Sequence, residues 1–427
     1  MIRETRSKLA PIMARILILC SRIPYPPIGG AKLRMYNTAK ILSKRHTVDL
    51  VVVNEDEEQP EHIQALQNQF NDVVSFNYPK SRFYLNTVSG LVSEKPLQSF
   101  YYHFDRVQEW VDDHSATYDM VYCNHVRTAE YARDLDVPVV VDFVDAISRN
   151  YAEAKDGASG VWKWLYSIDS DRLLEYERTL IEEVDRSFII SAEDREYITE
   201  DVALDDTPVV VPNGVREKLL DSAKAKRTDA NDDESQSIVF LGKMDYFPNE
   251  DAATFFANKV FPKIRKQCPD AVFEIVGMNP TEEVQSLGER SGIRVTGFVE
   301  EPMEYLNQAS VVVAPMRFGA GVQNKILEAM ALSKPVITTS LGLEGIDATD
   351  SVDIKVADDP GGLAEKTVEL LNNRQQRTAI GNEARRCIVE NYRWDVVERT
   401  LLEEIDEVLA EADPSSGVRE RAIPQYA

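Results

Sequence analysis

Lys325 and Glu328 stand three residues apart behind a glycine loop, in the segment GVQNKILEAMA at 321–331. That spacing puts both side chains on one face of a helix. A lysine in the first helical turn reaches a phosphate. A glutamate one turn deeper can accept two hydrogen bonds from a ribose diol. Gly319 and Gly321, just ahead, let the backbone turn tightly and approach a ligand. A helix opening near 322 adds free N–H groups for the same anion. The β-branched run at 311–313 before the loop fits a strand buried on both faces. The competing reading of Lys325 and Glu328 is a solvated salt-bridge pair.

Other loops carry chemistry of the same kind. Gly29 and Gly30 precede a helix starting near 31, where a phosphate or sugar ring can approach. They do not form the G-x-G-x-x-G dinucleotide fingerprint, so a nicotinamide or flavin role has weak support. His125 follows a strand at the presumed rim of the site, although a lone histidine is more often structural. Asp142 and Asp145 end the next strand and suit either hydroxyl or cation binding, or capping. Further on, LGKM at 241–244 supplies Gly242 and Lys243, a cation for a diphosphate, and Asn249 begins the following helix. Gly297, Phe298 and Val299 form a turn after another strand. The Asp169-Ser170-Asp171 triplet falls inside a helical pattern and is expected at the surface, not in a metal-binding loop.

These loops need a scaffold of alternating strands and helices. Strands are expected at 15–20, 47–53, 72–76, 118–123, 138–142, 186–191 and 208–211. A second series follows at 237–241, 271–276, 294–296, 311–315, 335–338 and 352–356. The alternation predicts an α/β fold with parallel sheets, built as two Rossmann-like domains. Ligands in such sheets bind beyond the carboxyl ends of the strands. One long helix is expected over 161–184, and an amphipathic one over 394–409. The polar segment 221–236 has almost no large apolar residue and suits a linker or a surface excursion.

The chain of 427 residues carries a net charge of −24. So acidic a protein is a poor general nucleic-acid binder. It suits either a high-salt cytoplasm or an ordinary acidic enzyme. Residues 1–54 depart from the rest, with ten Lys and Arg against Glu4 and Asp49. Such a patch faces phosphates or an anionic membrane, or is simply a solvated face. The four cysteines are widely separated, which points to a reducing cytoplasm. No apolar run approaches the ~20 residues needed to span a bilayer. In 80–96, Phe83, Tyr84, Leu85, Val88 and Leu91 make a modest apolar face flanked by basic residues, suited to peripheral contact with the inner face of a membrane or to packing. Met13 directly precedes the first strand and is a second candidate start of translation.

Taken together, the N-terminal glycine loop, VPNGV at 211–215, LGKM at 241, the Gly297 turn and LEAMA at 327 resemble the family 4 glycosyltransferases. These have the GT-B fold of two facing Rossmann-like domains. The likeness runs from Arg15 to about Leu409. Within the family, GVQNKILEAMA is similar to segments of sugar transferases associated with exopolysaccharide and sorting-system loci.

The resemblance implies an acceptor-side domain at 14–213, a polar linker region at 214–236 and a donor-binding domain at 237–392. A crossover helix at 393–410, returning to the N-terminal domain, and a tail at 411–427 complete the expected organisation. It implies a hexosyltransferase-type activity. A sugar moves, with retention, from a nucleotide-sugar donor to a glycan or lipid-linked acceptor, with no metal or cofactor. Glu328 would bind the donor ribose. Lys243, Lys325 and Arg317 would hold the diphosphate. Asn249, Gly319 and Gly321 would complete that site, and Gly297, Phe298 and Val299 would border the base. Gly29 and Gly30 would lie against the diphosphate and sugar. His125 would lie near the transferred sugar, with Asp145 facing the same region. The family's first glutamate is replaced by Ala320, and Asn249 stands near the place of its second basic residue. Two rivals remain: an epimerase of the same fold using His125, Asp142 and Asp145, and a non-catalytic sugar-nucleotide-binding protein.

Overall fold

The computed structural model describes residues 13–55, 59–90, 93–157, 160–225, 236–319 and 321–412. The chain divides into two compact units. One comprises residues 1–211 with 398–427, and the other residues 212–397.

The first unit holds a seven-stranded parallel sheet. Its strands are β1 (Arg15–Cys20), β2 (Thr47–Asn54), β3 (Asp72–Asn77), β4 (Met120–Asn124), β5 (Val139–Asp142), β6 (Arg186–Ile189) and β7 (Val209–Val210). They lie in the order β3-β2-β1-β4-β5-β6-β7. The central strands are continuous apolar runs, as burial on both faces of a parallel sheet requires. β1 and β4 are paired to their ends, Cys20 opposite Asn124. The chain reverses its winding between these two strands, so the loops after them open the crevice where such sheets bind ligands.

The second unit repeats the plan with β8 (Ser237–Leu241), β9 (Val272–Val276), β10 (Ile293–Val295), β11 (Val311–Ala314), β12 (Val336–Thr338) and β13 (Lys355–Val356). Their order is β10-β9-β8-β11-β12-β13. Here the reversal falls between β8 and β11. Helices on the two faces of this sheet give two apolar clusters, one around Phe240, Phe256 and Phe273, the other around Val312, Leu327 and Ile388.

Several expectations need correction. The region 214–236 is not a plain linker, because Glu217–Ala225 is a helix inside the second unit. Leu219 and Leu220 are buried with Val215 and Leu327, and that burial outweighs the polar composition around them. Residues 226–235 lie outside the described residues. Asp169 is 1% exposed rather than at the surface. It lies in the helix Gly160–Glu183, and its Oδ1 accepts the Leu97 N–H at 2.8 Å, holding the start of the helix Leu97–Tyr101.

Among the described residues, part of the basic N-terminal patch is paired within the first unit, although only Arg34 of these cations is buried. Arg34 is buried on Asp142, Arg15 pairs with Asp49, and Arg45 reaches Asp406 at 3.0 Å. Lys44 pairs with Glu398. The helix Trp394–Ala412 starts in the second unit, and its residues from Glu398 belong to the first. Phe83 does not belong to an exposed apolar face, since it is buried in the core of the first unit. Leu91, the residues before Met13 and those after Ala412 are outside the described set.

Candidate functional site

In the second unit the loops after β8 and β11 meet at one point. The β8 loop depends on two glycines. A Cβ at Gly277 would stand 1.7 Å from the Gly242 carbonyl oxygen, so only glycine permits this approach. A Cβ at Gly242 would strike the Asn249 side chain at 2.7 Å. Asn249 does not begin its helix as expected. It is the third residue of Phe247–Phe255 and is buried, because the chain turns into helix two residues earlier, with Pro248 in the first turn. From there its Nδ2 donates to the Lys243 carbonyl at 3.0 Å, and its Oδ1 accepts from Lys325 Nζ.

Lys325 lies in the helix Asn324–Ala331, which opens two residues later than expected. The later start follows from Gly321, which holds φ 82° and keeps the preceding backbone out of the helix. The Lys325 ammonium also lies 4.9 Å from the Phe240 ring centroid and 3.7 Å from Met316 Sδ. No carboxylate partners it among the described residues, and burial pushes its pKa down to about 7. Gln323, at the helix cap, makes no side-chain hydrogen bond to the first turn, and that turn has no acid. An anion arriving here meets a lysine and the positive end of a helix together. Glu328, one turn further, accepts from Arg216 Nη2 at 2.5 Å. Arg216 had no signal in the sequence beyond following VPNGV.

The remaining candidates divide. Gly319, at φ 95°, lies against Pro248. Lys243 Nζ is exposed and 3.3 Å from Asp245. Arg317 is held away from a free diphosphate-binding pose. Its guanidinium forks onto Asp251 at 3.0 and 2.5 Å and lies over the Phe255 ring at 4.4 Å. Gly297, at φ 67°, lines a cavity of about 660 Å³ together with Glu274, Arg294 and Tyr305. Phe298 is exposed, and Val299 packs partly on the apolar cluster. Ala320 lies outside the described residues.

In the first unit the corresponding place lies beyond β1 and β4. Gly29, at φ 86°, has open space around it, and Gly30 starts the helix Gly30–Leu42. His125 adopts φ 74°, uncommon for a residue with a side chain. Its backbone N–H donates to the Asp142 carbonyl at 2.7 Å. The β-branched Val144 at φ 68° is strained in the same way.

One buried group pins both positions. Asp142 receives Arg34 Nε and Nη2 at 2.7 and 2.9 Å, the Tyr122 hydroxyl at 2.8 Å and the Val144 N–H at 3.1 Å. Asp142 is therefore the anchor of the rim and is fully occupied. A paired, hydrogen-bonded buried charge of this kind holds its surroundings rigidly.

Burial, then Arg127 and Arg22, push the His125 pKa well below its ordinary value, so the ring is neutral. Its Nδ1 faces the Arg127 N–H at 3.5 Å, a long contact that favours the tautomer with the proton on Nε2. A neutral Nε2–H is a hydrogen-bond donor suited to a hydroxyl. Arg127 donates to Gln98 at 2.7 Å, and Gln98 to the Tyr151 hydroxyl at 2.5 Å. Asp145 accepts from Asn150 at 2.9 Å, and burial raises its pKa. Arg34, Gln98, Arg127 and Tyr151 escaped sequence reasoning because they come from segments tens of residues apart.

Comparison with known proteins bears on the fold and on residues 235–373. Residues 235–373 match the family described as Glycosyl transferases group 1. A Klebsiella pneumoniae protein described as an uncharacterized 44.6 kDa protein in the cps region is 23% identical over 398 residues, 89% of this chain and 97% of its own length. The trehalose synthase of Thermococcus litoralis is 24% identical over 260 residues, 54% of this chain and 60% of that protein. Among solved structures, the sucrose-phosphate synthase from Thermosynechococcus elongatus covers 93% of this chain and 99% of its own, with TM-score 0.67 at 14% identity. Anabaena HepE in complex with UDP-glucose covers 92% and 100%, with TM-score 0.63 at 15% identity. With a group 1 glycosyl transferase domain at 235–373 and this fold throughout, the chain is a glycosyltransferase of GT-B fold.

Proposed function

We propose that the protein is a family 4 hexosyltransferase that moves a sugar with retention onto a glycan or lipid-linked glycan of a surface polysaccharide. It would act at the inner face of a membrane. The observation that carries the donor side is the meeting of Lys325, Asn249 and an uncapped helix start one turn ahead of Glu328. Breaking the anomeric C–O bond builds charge on the leaving diphosphate. Lys325 and the helix N-terminus stabilise that charge most in the transition state. Glu328 would exchange its Arg216 partner for the ribose diol, or hold the diol beside it. These groups supply the charge without a metal, and exposed Lys243 can swing from Asp245 to join them. The Anabaena protein's UDP-glucose and the cps region of the Klebsiella relative support a uridine nucleotide and a polysaccharide role. His125 donates through Nε2 to a sugar hydroxyl, with Asp145 alongside, and Gly29 and Gly30 leave room for the sugar.

A thermal-shift panel of nucleoside diphosphates and nucleotide sugars tests the donor reading, because a ligand bound only by the folded chain raises Tm by mass action. UDP should stand out. Glu328→Ala should weaken its binding about tenfold or more, the worth of a hydrogen bond to a charged group. Equal, negligible shifts for every nucleotide would overturn the assignment.

A further inference from the structure

The first unit contains a second polar cavity, remote in sequence from the residues above. It has a volume of about 720 Å³ and lies between the helices Lys80–Gly90 and Asp105–His114. Arg82, Asn86, His103 and Arg106 line it, over a floor of Tyr78 and Phe104. The floor is rigid, because those two rings stack at 3.8 Å with 2° between their planes. Asn86 Nδ2 donates to the His103 carbonyl at 2.8 Å and ties the two walls together.

Arg82 and Arg106 have no carboxylate partner among the described residues, in a protein of net charge −24. Arg106 lies 5.8 Å from the Phe76 ring centroid. Asp105 is the acid in the lining. It is 95% exposed and 3.8 Å from His103 Nε2. Two free guanidiniums over an aromatic floor suit a phosphate, which a guanidinium grips with two parallel hydrogen bonds.

The same helix carries an unusual outer face. Tyr84, Leu85 and Val88 are 60%, 63% and 60% exposed, while Phe83 anchors the helix in the core. At 100° per residue, Leu85 borders Arg82 and Asn86 around the helix, so the apolar stripe begins at the edge of the cavity. Large apolar side chains in water beside unpaired cations match the boundary between lipid headgroups and acyl chains. A soluble glycan would engage the cations and rings but leave the stripe in water.

We propose that this cavity binds the phosphate of a lipid headgroup, and that Tyr84, Leu85 and Val88 enter the interface beside it. The face then docks the enzyme on an anionic membrane. This gives the membrane contact of the preceding reading a defined place, and its test does not depend on transferase chemistry.

Co-sedimentation of the full chain at low salt with phosphatidylcholine vesicles, with and without phosphatidylglycerol, tests it. Wild type should pellet with the anionic vesicles. Arg82→Gln/Arg106→Gln should bind them at least roughly tenfold more weakly, since each basic group near such a surface contributes appreciably. Leu85→Ser/Val88→Ser, at exposed positions, should also lose binding. The UDP thermal shift, read on the same variants, should be unchanged, so failure of docking and failure of the donor site appear separately. Pelleting of both variants like wild type, or no pelleting of wild type, overturns the proposal. Binding of a soluble uronate oligosaccharide that is lost in Arg82→Gln/Arg106→Gln, without vesicle binding, also overturns it and makes the cavity a glycan site.

Discussion

Lys325 is the residue whose chemistry is most open to measurement. Burial brings its pKa down to about 7, so in the free protein it is partly neutral near neutrality. A bound diphosphate favours the ammonium and raises that pKa. The ligand therefore prefers the protonated form, and binding takes up a proton. Affinity for UDP should fall as pH rises through about 7. Calorimetry in buffers of different ionisation enthalpy should detect the proton, and Lys325→Arg, always charged, should flatten the pH dependence. A pH-independent affinity with no proton uptake would contradict this account. Spacing alone made Lys325 and Glu328 legible, because a helix fixes which residues share a face. Arg317 was not legible in the same way. Its guanidinium is taken by Asp251, 66 residues earlier, and no local pattern encodes that pairing.

At the scale of elements, the helix Ile147–Gly157, which follows Asp145, hangs on Glu177. This buried carboxylate accepts the Ile147 and Ser148 N–H groups at 2.9 and 3.3 Å, together with the Ser148 hydroxyl. Burial, opposed by those Ser148 and Ile147 hydrogen bonds, raises its pKa from 4.5 to about 8. A carboxyl with the higher pKa in the folded chain binds more protons there than when unfolded. Stability from this group is full below pH 4.5 and is lost as pH rises toward about 8. Glu177→Gln keeps an acceptor for the N–H groups and a donor for the hydroxyl. The variant should therefore be as stable as wild type in acid and more stable at pH 8 and above, by denaturant midpoint. A midpoint gap independent of pH would contradict it. The strands were legible because buried parallel strands are apolar runs with nothing to disguise them. The helix Glu217–Ala225 was not, since two leucines carry its burial inside a polar stretch.

For the whole molecule, the net charge of −24 means that folding gathers negative charge into a small volume. Salt screens that repulsion within about 10 Å at 0.1 M. Tm should rise steadily with KCl, well beyond the concentration at which exposed ion pairs such as Arg393–Asp395 are weakened. A Tm that falls with KCl would mean that those pairs outweigh the net repulsion. The two-sheet plan was legible from alternation alone, whereas the destination of Arg15, Arg34, Lys44 and Arg45 was not. Their charge invited a surface role, and the fold spends it on Asp49, Asp142 and the helix Trp394–Ala412.

That helix also sets an order of events during synthesis. The first unit consists of residues emerging early and of residues from Glu398 onward, with the entire second unit translated between them. Leu401, Leu402, Ile405, Val408 and Leu409 are buried, and Lys44, Arg45 and Arg186 await Glu398, Asp406, Glu404 and Glu407. A nascent chain halted before residue 398 carries the whole second unit and an incomplete first one. The second unit is thus complete in sequence before the first sheet can close its own surface, and quality control of a stalled chain would be directed at its oldest residues.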